Sequence, residues 1–333
     1  MKALVYTGPE RIELRDVPDP TPAPGEALVR IAAVGVCGSD MHAFHGHDPR
    51  RPAPLILGHE AAGAIVSSAE HAVGTRVTIN PLVSCGTCED CRSGRDNLCP
   101  QRQIISLPPR EGAFAELVAI PDRNLVPVPD GVALEAAALA EPIACGWHAL
   151  RIAQRTAVVP SDETRVLVLG GGAIGVGAAL CARAQGYRDV TVCEPYQARR
   201  AVLDRIDEIE TIESADAYGT AAPPHLVVDA VGYAATRAAA CAVVRPGGTI
   251  VHIGLGSGEG GVDARRMTLQ EIAFIGTYTY TSRDFRDTAE AIFSGRLGSL
   301  DWIDRQPLAA GPDVFEALSK GQVASPKVVL IPG

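Results

Sequence analysis

The sequence predicts an α/β protein of two domains, a small barrel-like β domain followed by a doubly wound parallel sheet. Three observations carry this reading. The chain has 333 residues, more than one hydrophobic core usually holds. Its first quarter consists of short apolar runs punctuated by glycine and proline. Past the middle, continuous apolar runs alternate with helix-like segments, the pattern of a parallel sheet with helices on both faces.

In the first part, Ala27-Leu28-Val29-Arg30-Ile31, Ala62-Gly63-Ala64-Ile65-Val66 and Arg76-Val77-Thr78-Ile79 read as strands. The run Pro18, Pro20, Pro22, Pro24 and several glycines separate them, as in an antiparallel barrel. After residue 145 the strands are Arg165 to Leu169, Val190 to Cys193, Leu226 to Asp229 and Thr249 to Ile253. An alanine-rich helix lies between the first two and ends near Gln185. The tail from residue 279 is mixed in character.

Composition narrows the function classes. Apolar residues make up 47% and charged residues 21% of the chain, and the net charge is −9. That is an ordinary globular composition. Its acidic balance argues against nucleic acid as a partner, because a polyanion needs a basic face. No signal peptide or membrane span is expected, since the first residues meet Gly8-Pro9 at once and the apolar stretch from Leu134 to Leu150 is broken by Glu135, Glu141, Pro142 and His148. A cytoplasmic location follows as an expectation.

Gly170-Gly171-Gly172-Ala173-Ile174-Gly175 fits G-x-G-x-x-G, and it follows a strand and opens a helix. Gly170 serves the tight turn, Gly172 the close approach of a pyrophosphate, and Gly175 helix–strand packing. The helix N-terminus, including Ala173 and Ile174, offers free N–H groups to phosphates. Glu194 ends the next strand at the spacing of a ribose-binding acid. A carboxylate there repels a 2′-phosphate and favours NAD over NADP, whereas Arg199 or Arg200 would pull the other way by holding one.

Nine cysteines without a secretory signal do not suggest disulfides. Cys85-x2-Cys88-x2-Cys91-x7-Cys99 has the spacing of a closed four-thiolate zinc site in a polar, turn-rich loop. Four thiolates leave no open position, so this zinc is structural. An iron–sulfur cluster is the rival occupant. Cys145, Cys181, Cys193 and Cys241 lie in apolar surroundings and read as small buried hydrophobes.

Three further segments offer reactive groups: Gly35-Val36-Cys37-Gly38-Ser39-Asp40-Met41-His42, Gly58-His59-Glu60 and Glu141-Pro142. With the four-cysteine loop and the glycine turn, in this order, they resemble the zinc-containing medium-chain dehydrogenase/reductase family. The likeness is greatest to its sorbitol/polyol and threonine dehydrogenase branch, and it runs over essentially the whole chain. The resemblance implies a GroES-like barrel over residues 1–144, a Rossmann domain over 145–278, and a return to the barrel over 279–333.

It also implies a catalytic zinc on Cys37, His59 and Glu60 with a fourth place open, and Glu141 beside it as partner or exchanging ligand. Such a zinc is a Lewis acid. The implied reaction is hydride transfer from a secondary alcohol or polyol to the nicotinamide, with Ser39 accepting the proton and His42 passing it on. Val231 and Ile253, in Asp229-Ala230-Val231-Gly232 and Ile253-Gly254-Leu255, would touch the nicotinamide half, and Lys327 would reach the cofactor phosphates. A homodimer or homotetramer built on the Rossmann domains is expected.

Two features set this chain apart. Thr279 stands where sorbitol-type relatives often carry a substrate-holding arginine, and the pair Arg50-Arg51 offers a place for an anionic group of the substrate. The alternatives are an NADPH-dependent carbonyl reductase and a non-catalytic dinucleotide-binding paralogue. The latter should have lost Cys37, His59 or Glu60, and this chain keeps all three.

Overall fold

In the computed structural model, residues 1–156, 159–207, 209–218 and 222–333 are described. The first strands are β1 (Lys2–Gly8), β2 (Arg11–Asp16) and β3 (Glu26–Gly35), with the proline run between the last two. There follow α1 (Gly38–Phe44), β4 (Leu55–Ile56), β5 (Glu60–Ser67), β6 (Arg76–Ile79), β7 (Leu82–Val83), α2 (Glu89–Arg92), β8 (Gln103–Ile104), β9 (Leu117–Pro121) and β10 (Leu125–Pro127). The three expected runs lie inside β3, β5 and β6. Along β3, Ala27, Val29, Ile31 and Ala33 point inward with half-exposed or exposed residues between, the alternation of a sheet with one buried face. The β3–β5 ladder sets Gly35 opposite Glu60. A core of Leu4, Ile31, Leu57, Phe114 and Phe315 fills this part.

Next come α3 (Leu134–Ala138) and α4 (Ala140–Ala153). The 144/145 division therefore falls inside a helix. The second unit contains β11 (Arg165–Leu169), α5 (Ala173–Ala184), β12 (Asp189–Cys193), α6 (Gln197–Leu203), β13 (Glu210–Ile212), β14 (Leu226–Asp229), α7 (Ala234–Val243), β15 (Thr249–His252), α8 (Ala264–Leu269) and β16 (Ala273–Gly276). Its sheet has the order β13-β12-β11-β14-β15-β16, and every pairing is parallel. Val166 to Leu169 of β11 are all buried, as a strand covered on both faces requires. The order reverses between β11 and β14, where open α/β sheets bind ligands beyond the strand C-termini.

The tail holds α9 (Ser282–Phe293), β17 (Ile303–Pro307), α10 (Gly311–Ser319) and β18 (Lys327–Ile331). β18 pairs with β3 and β17 pairs with β18, so these strands complete the first sheet. α9 instead lies on α4. Among the described residues, no helix is long and apolar enough to cross a membrane.

Candidate active site and structural metal centre

Cys37 precedes α1, whose third residue, Asp40, turns back on it. Asp40 is fully buried, and its Oδ2 accepts the Cys37 N–H at 3.0 Å while Oδ1 accepts the Gly58 N–H at 3.2 Å. That same Oδ1 lies 3.6 Å from His59 Nδ1, and Ser106 Oγ lies 3.4 Å from it. Nδ1 is turned toward these partners, as around a metal-ligating histidine whose other ring nitrogen faces the ion. Glu60 divides its two oxygens. Oε1 accepts from Lys327 Nζ at 2.7 Å, and Oε2 is buried with no partner.

Room for Oε2 comes from Gly35, where a Cβ would stand 2.0 Å away. One donor atom each from Cys37, His59 and Glu60 lies within 4.8 Å of the others. Burial by itself would lower the His59 pKa, yet Asp40 and Cys37 raise it well above its ordinary value. The surroundings therefore favour positive charge. An orphaned carboxylate oxygen, a thiol and an imidazole, together with that field, fit a divalent zinc with three protein ligands.

Glu141 opens α4. Burial, with Glu60 nearby, pushes its carboxyl up to about 7 against the pull of His59, Tyr280 and Lys327. Its Oε1 accepts from the Tyr280 hydroxyl at 2.6 Å. Burial and the adjacent Glu141 push the Tyr280 phenol well above its usual range, so it stays a donor. Ser39 and His42 sit half-buried on α1, one turn apart, and no side-chain hydrogen bond joins them among the described residues.

The four-cysteine loop folds as its spacing predicts. Cys85, Cys88, Cys91 and Cys99 bring their sulfurs within 4.8 Å of one another. The Cys85–Cys91 Sγ separation is 3.9 Å, close to the edge of about 3.8 Å for a tetrahedron with Zn–S bonds near 2.3 Å. Backbone N–H groups of Thr87 and Cys88 donate to Cys85 Sγ, and that of Cys85 donates to Cys99 Sγ. These amides lower the Cys85 thiol to about 6, while burial and the neighbouring cysteines push Cys91 up to about 12. Four sulfurs this close need a cation to ionise together. The lobe is pinned to the distant segment after β16, because Asn97 Nδ2 donates to the Tyr278 carbonyl at 2.8 Å and Asp96 accepts from Ser282.

At the glycine turn, Gly170 has φ +97°, and a Cβ on Gly175 would lie 1.8 Å from the Gly170 carbonyl oxygen. Nothing stands within 4 Å of a Cβ at Gly172, so the space beside it is open. Ala173 and Ile174 form the first turn of α5. Val231 follows β14, touching the space beside Gly170, and Ile253 follows β15. Glu194 Oε2 accepts the Gly171 N–H at 2.8 Å and Oε1 the Tyr196 N–H at 2.9 Å, which holds the acid at the turn. α4 lies flat on α5, with Gly146 against Ala178, so the helix carrying Glu141 backs the helix that opens at the glycine turn.

Several expectations need correction. Lys327 does not reach toward the glycine turn; it is buried on Glu60 and the Val36 carbonyl. Arg51 is buried too, and its guanidinium is occupied by Asp48, Ser39 O and Ser106 O. Only Arg50 of that pair is exposed, with two nitrogens on Asp48. Arg199 donates to the carbonyls of Val323 and Ala324 and stands 3.8 Å from Glu194, and Arg200 binds the Glu194 and Pro195 carbonyls. Both guanidiniums are thus engaged in part by backbone carbonyls. Thr279 has φ +47° and a buried hydroxyl without a partner, a strained conformation for a β-branched residue.

Ser106 and Tyr280 have no role in the sequence reading, and Asp40 and Lys327 are not read there as partners of His59 and Glu60. Asp40 alone had a local signal, three residues after Cys37 at the start of a helix. The others meet the site from 47 or more residues away.

Comparison with known proteins gives the same picture. Residues 23–130 match the alcohol dehydrogenase GroES-like domain, and residues 173–294 match the zinc-binding dehydrogenase family. An L-galactonate-5-dehydrogenase of Escherichia coli K12 is 32% identical, covering 95% of this chain and 94% of its own. A sorbitol dehydrogenase of Bacillus subtilis is 34% identical over 77% of this chain and 76% of its own. The structure of acetophenone reductase from Geotrichum candidum in complex with NAD superposes with a TM-score of 0.88 at 29% identity, over 99% of this chain and 96% of that one. The chain therefore belongs to the zinc-containing medium-chain dehydrogenase/reductase family, and it is a zinc- and nicotinamide-dependent dehydrogenase with a GroES-like barrel and a Rossmann domain.

Proposed function

We propose that the protein oxidises a secondary hydroxyl of a polyol or sugar-acid chain with NAD. The observation that carries this is the buried, unpartnered Glu60 Oε2 beside Cys37 and His59. The names of the relatives point to the substrate class. Cys37, His59 and Glu60 hold the catalytic zinc, and Cys85, Cys88, Cys91 and Cys99 the structural one. Bound zinc supplies Lewis-acid polarisation of the substrate oxygen.

The remaining work belongs to the chain. Asp40 and Ser106 orient His59, Lys327 fixes Glu60, and Glu141 supplies a carboxylate at the edge of the ligand set. Ser39 takes the alcohol proton and His42 hands it outward along α1. Gly170, Gly172, Ala173, Ile174 and Gly175 cradle the pyrophosphate, Glu194 accepts from the ribose hydroxyls with Arg199 beside it, and Val231 and Ile253 flank the nicotinamide. Glu194, held at the turn by two N–H donors, supports NAD over NADP. We divide the chain at residues 1–144, 145–278 and 279–333, with α4 shared between the first two.

Free thiols as ligands suit a reducing compartment, and we place the enzyme in the cytoplasm. Association through the β16 edge of the Rossmann sheet is favoured by the exposed side chains Leu255, Val262 and Leu269. The test is turnover of polyols and sugar acids with NAD and NADP side by side. Oxidation of a secondary hydroxyl that runs faster with NAD supports the reading. Much faster turnover with NADP removes the Glu194 argument, and no turnover on any member removes the substrate class.

A further inference from the structure

The two carboxylates at the zinc site are restrained in opposite ways. Glu60 has one oxygen on Lys327 and leaves the other unpartnered. Glu141 has Oε1 on the Tyr280 hydroxyl at 2.6 Å, and its oxygens are not among the donors that cluster within 4.8 Å. Tyr280 is fully buried and packs on Phe285, with ring centroids 5.7 Å apart.

A second link holds it there. Thr281, the next residue, caps α9 with Asp284, and Asp284 takes His148 Nδ1 at 2.7 Å and Arg151 Nε at 2.5 Å. His148 and Arg151 lie two to three turns beyond Glu141 on α4. The phenol and the carboxylate are therefore fixed against each other at two points along one helix pair.

We propose that Tyr280 is a positioning residue that keeps Glu141 off the catalytic zinc, so that three protein ligands remain and the fourth place stays open to the substrate oxygen. The proposal rests on the zinc reading above. A carboxylate in a dry site seeks the strongest available partner. With the phenol present, one oxygen is satisfied by the hydrogen bond at 2.6 Å. With the phenol removed, the nearest compensation for that oxygen is the dication, and Glu141 becomes a fourth protein ligand. Zinc should then be held more tightly and the open place lost.

The test uses cobalt(II) in place of zinc, read by its visible ligand-field spectrum, with imidazole as the probe for the open place. Native protein should change spectrum on imidazole addition. Tyr280→Phe should show an altered spectrum without imidazole, a weakening of imidazole binding by tenfold or more, slower metal loss to a chelator, and a lower kcat with the KM for NAD unchanged. The double variant Tyr280→Phe with Glu141→Gln should recover imidazole binding, which a merely misfolded site would not do. An unchanged cobalt spectrum and imidazole affinity in Tyr280→Phe would overturn the proposal while leaving the zinc site standing. Native protein that takes cobalt only at the four cysteines would overturn both.

Discussion

Gly35 to alanine is the smallest change aimed at the catalytic centre. Gly35 ends β3 directly opposite Glu60, and an added Cβ would lie 2.0 Å from Glu60 Oε2. Ordinary contact begins near 3.4 Å, so the oxygen must retreat by about 1.4 Å. A zinc ligand tolerates only about 0.2 Å of displacement. Escape routes are few. Glu60 is fully buried, its other oxygen is tied to Lys327 at 2.7 Å, and the ladder between β3 and β5 fixes the strand separation. The backbone at Gly35 is not left-handed, so alanine brings no backbone strain of its own there. The expected outcome is a folded protein with a depleted catalytic site. Mild chelation should leave one zinc per chain, at the four cysteines, and turnover should fall by about a hundredfold. Circular dichroism would establish that the fold is intact. A Gly35→Ala protein that keeps two zincs and native turnover would refute the assignment of Glu60 Oε2 as a ligand.

Two other perturbations separate stability from chemistry. Cys88→Ser should lower the melting temperature and loosen the lobe pinned to Tyr278 and Ser282, with turnover per folded molecule retained; thermal melts and activity of the soluble fraction check this. Asp284→Asn should cost about 2–3 kcal/mol in denaturant unfolding, less than for a wholly buried pair because Arg151 is 36% exposed. Burial alone would raise the Asp284 carboxyl, but hydrogen bonds from His148, Arg151 and Thr281 overcome it and hold the group well below its ordinary value. Its stabilisation is therefore fully present above the unfolded carboxyl value near 3.9 and is lost as pH falls toward the lower folded value. Unfolding free energies measured from pH 7 down to 3 should accordingly show a flatter acid limb in Asp284→Asn than in the native protein.

The parts of this protein that speak through local pattern were legible. Val166 to Leu169 and Leu226 to Val228 read as strands because a strand buried on both faces is apolar along its length. The tight turn at the glycines was legible because its positions answer to sterics within a few residues, as the close approach of Gly175 to the Gly170 carbonyl illustrates. The four cysteines read as a metal centre because a loop of their spacing can close on itself.

What stayed hidden is long-range. β13, Glu210–Ile212, is three residues at a sheet edge and has no pattern to offer. Lys327 reads in the sequence as reaching the cofactor phosphates, yet β18 pairs with β3 and carries it across 267 residues of sequence to Glu60. Tyr280 likewise meets Glu141 across 139 residues. Arg50 and Arg51 are neighbours with unlike fates, because only the second finds the Ser39 and Ser106 carbonyls.

The most direct measurement is zinc per chain together with turnover, on the native protein and on Cys37→Ser. Two zincs in the native protein, falling to one in a folded and inactive Cys37→Ser, is the predicted result. Fewer than two zincs in active native protein, or a Cys37→Ser variant that still turns over, would contradict the assignment of Cys37, His59 and Glu60 as the catalytic zinc site.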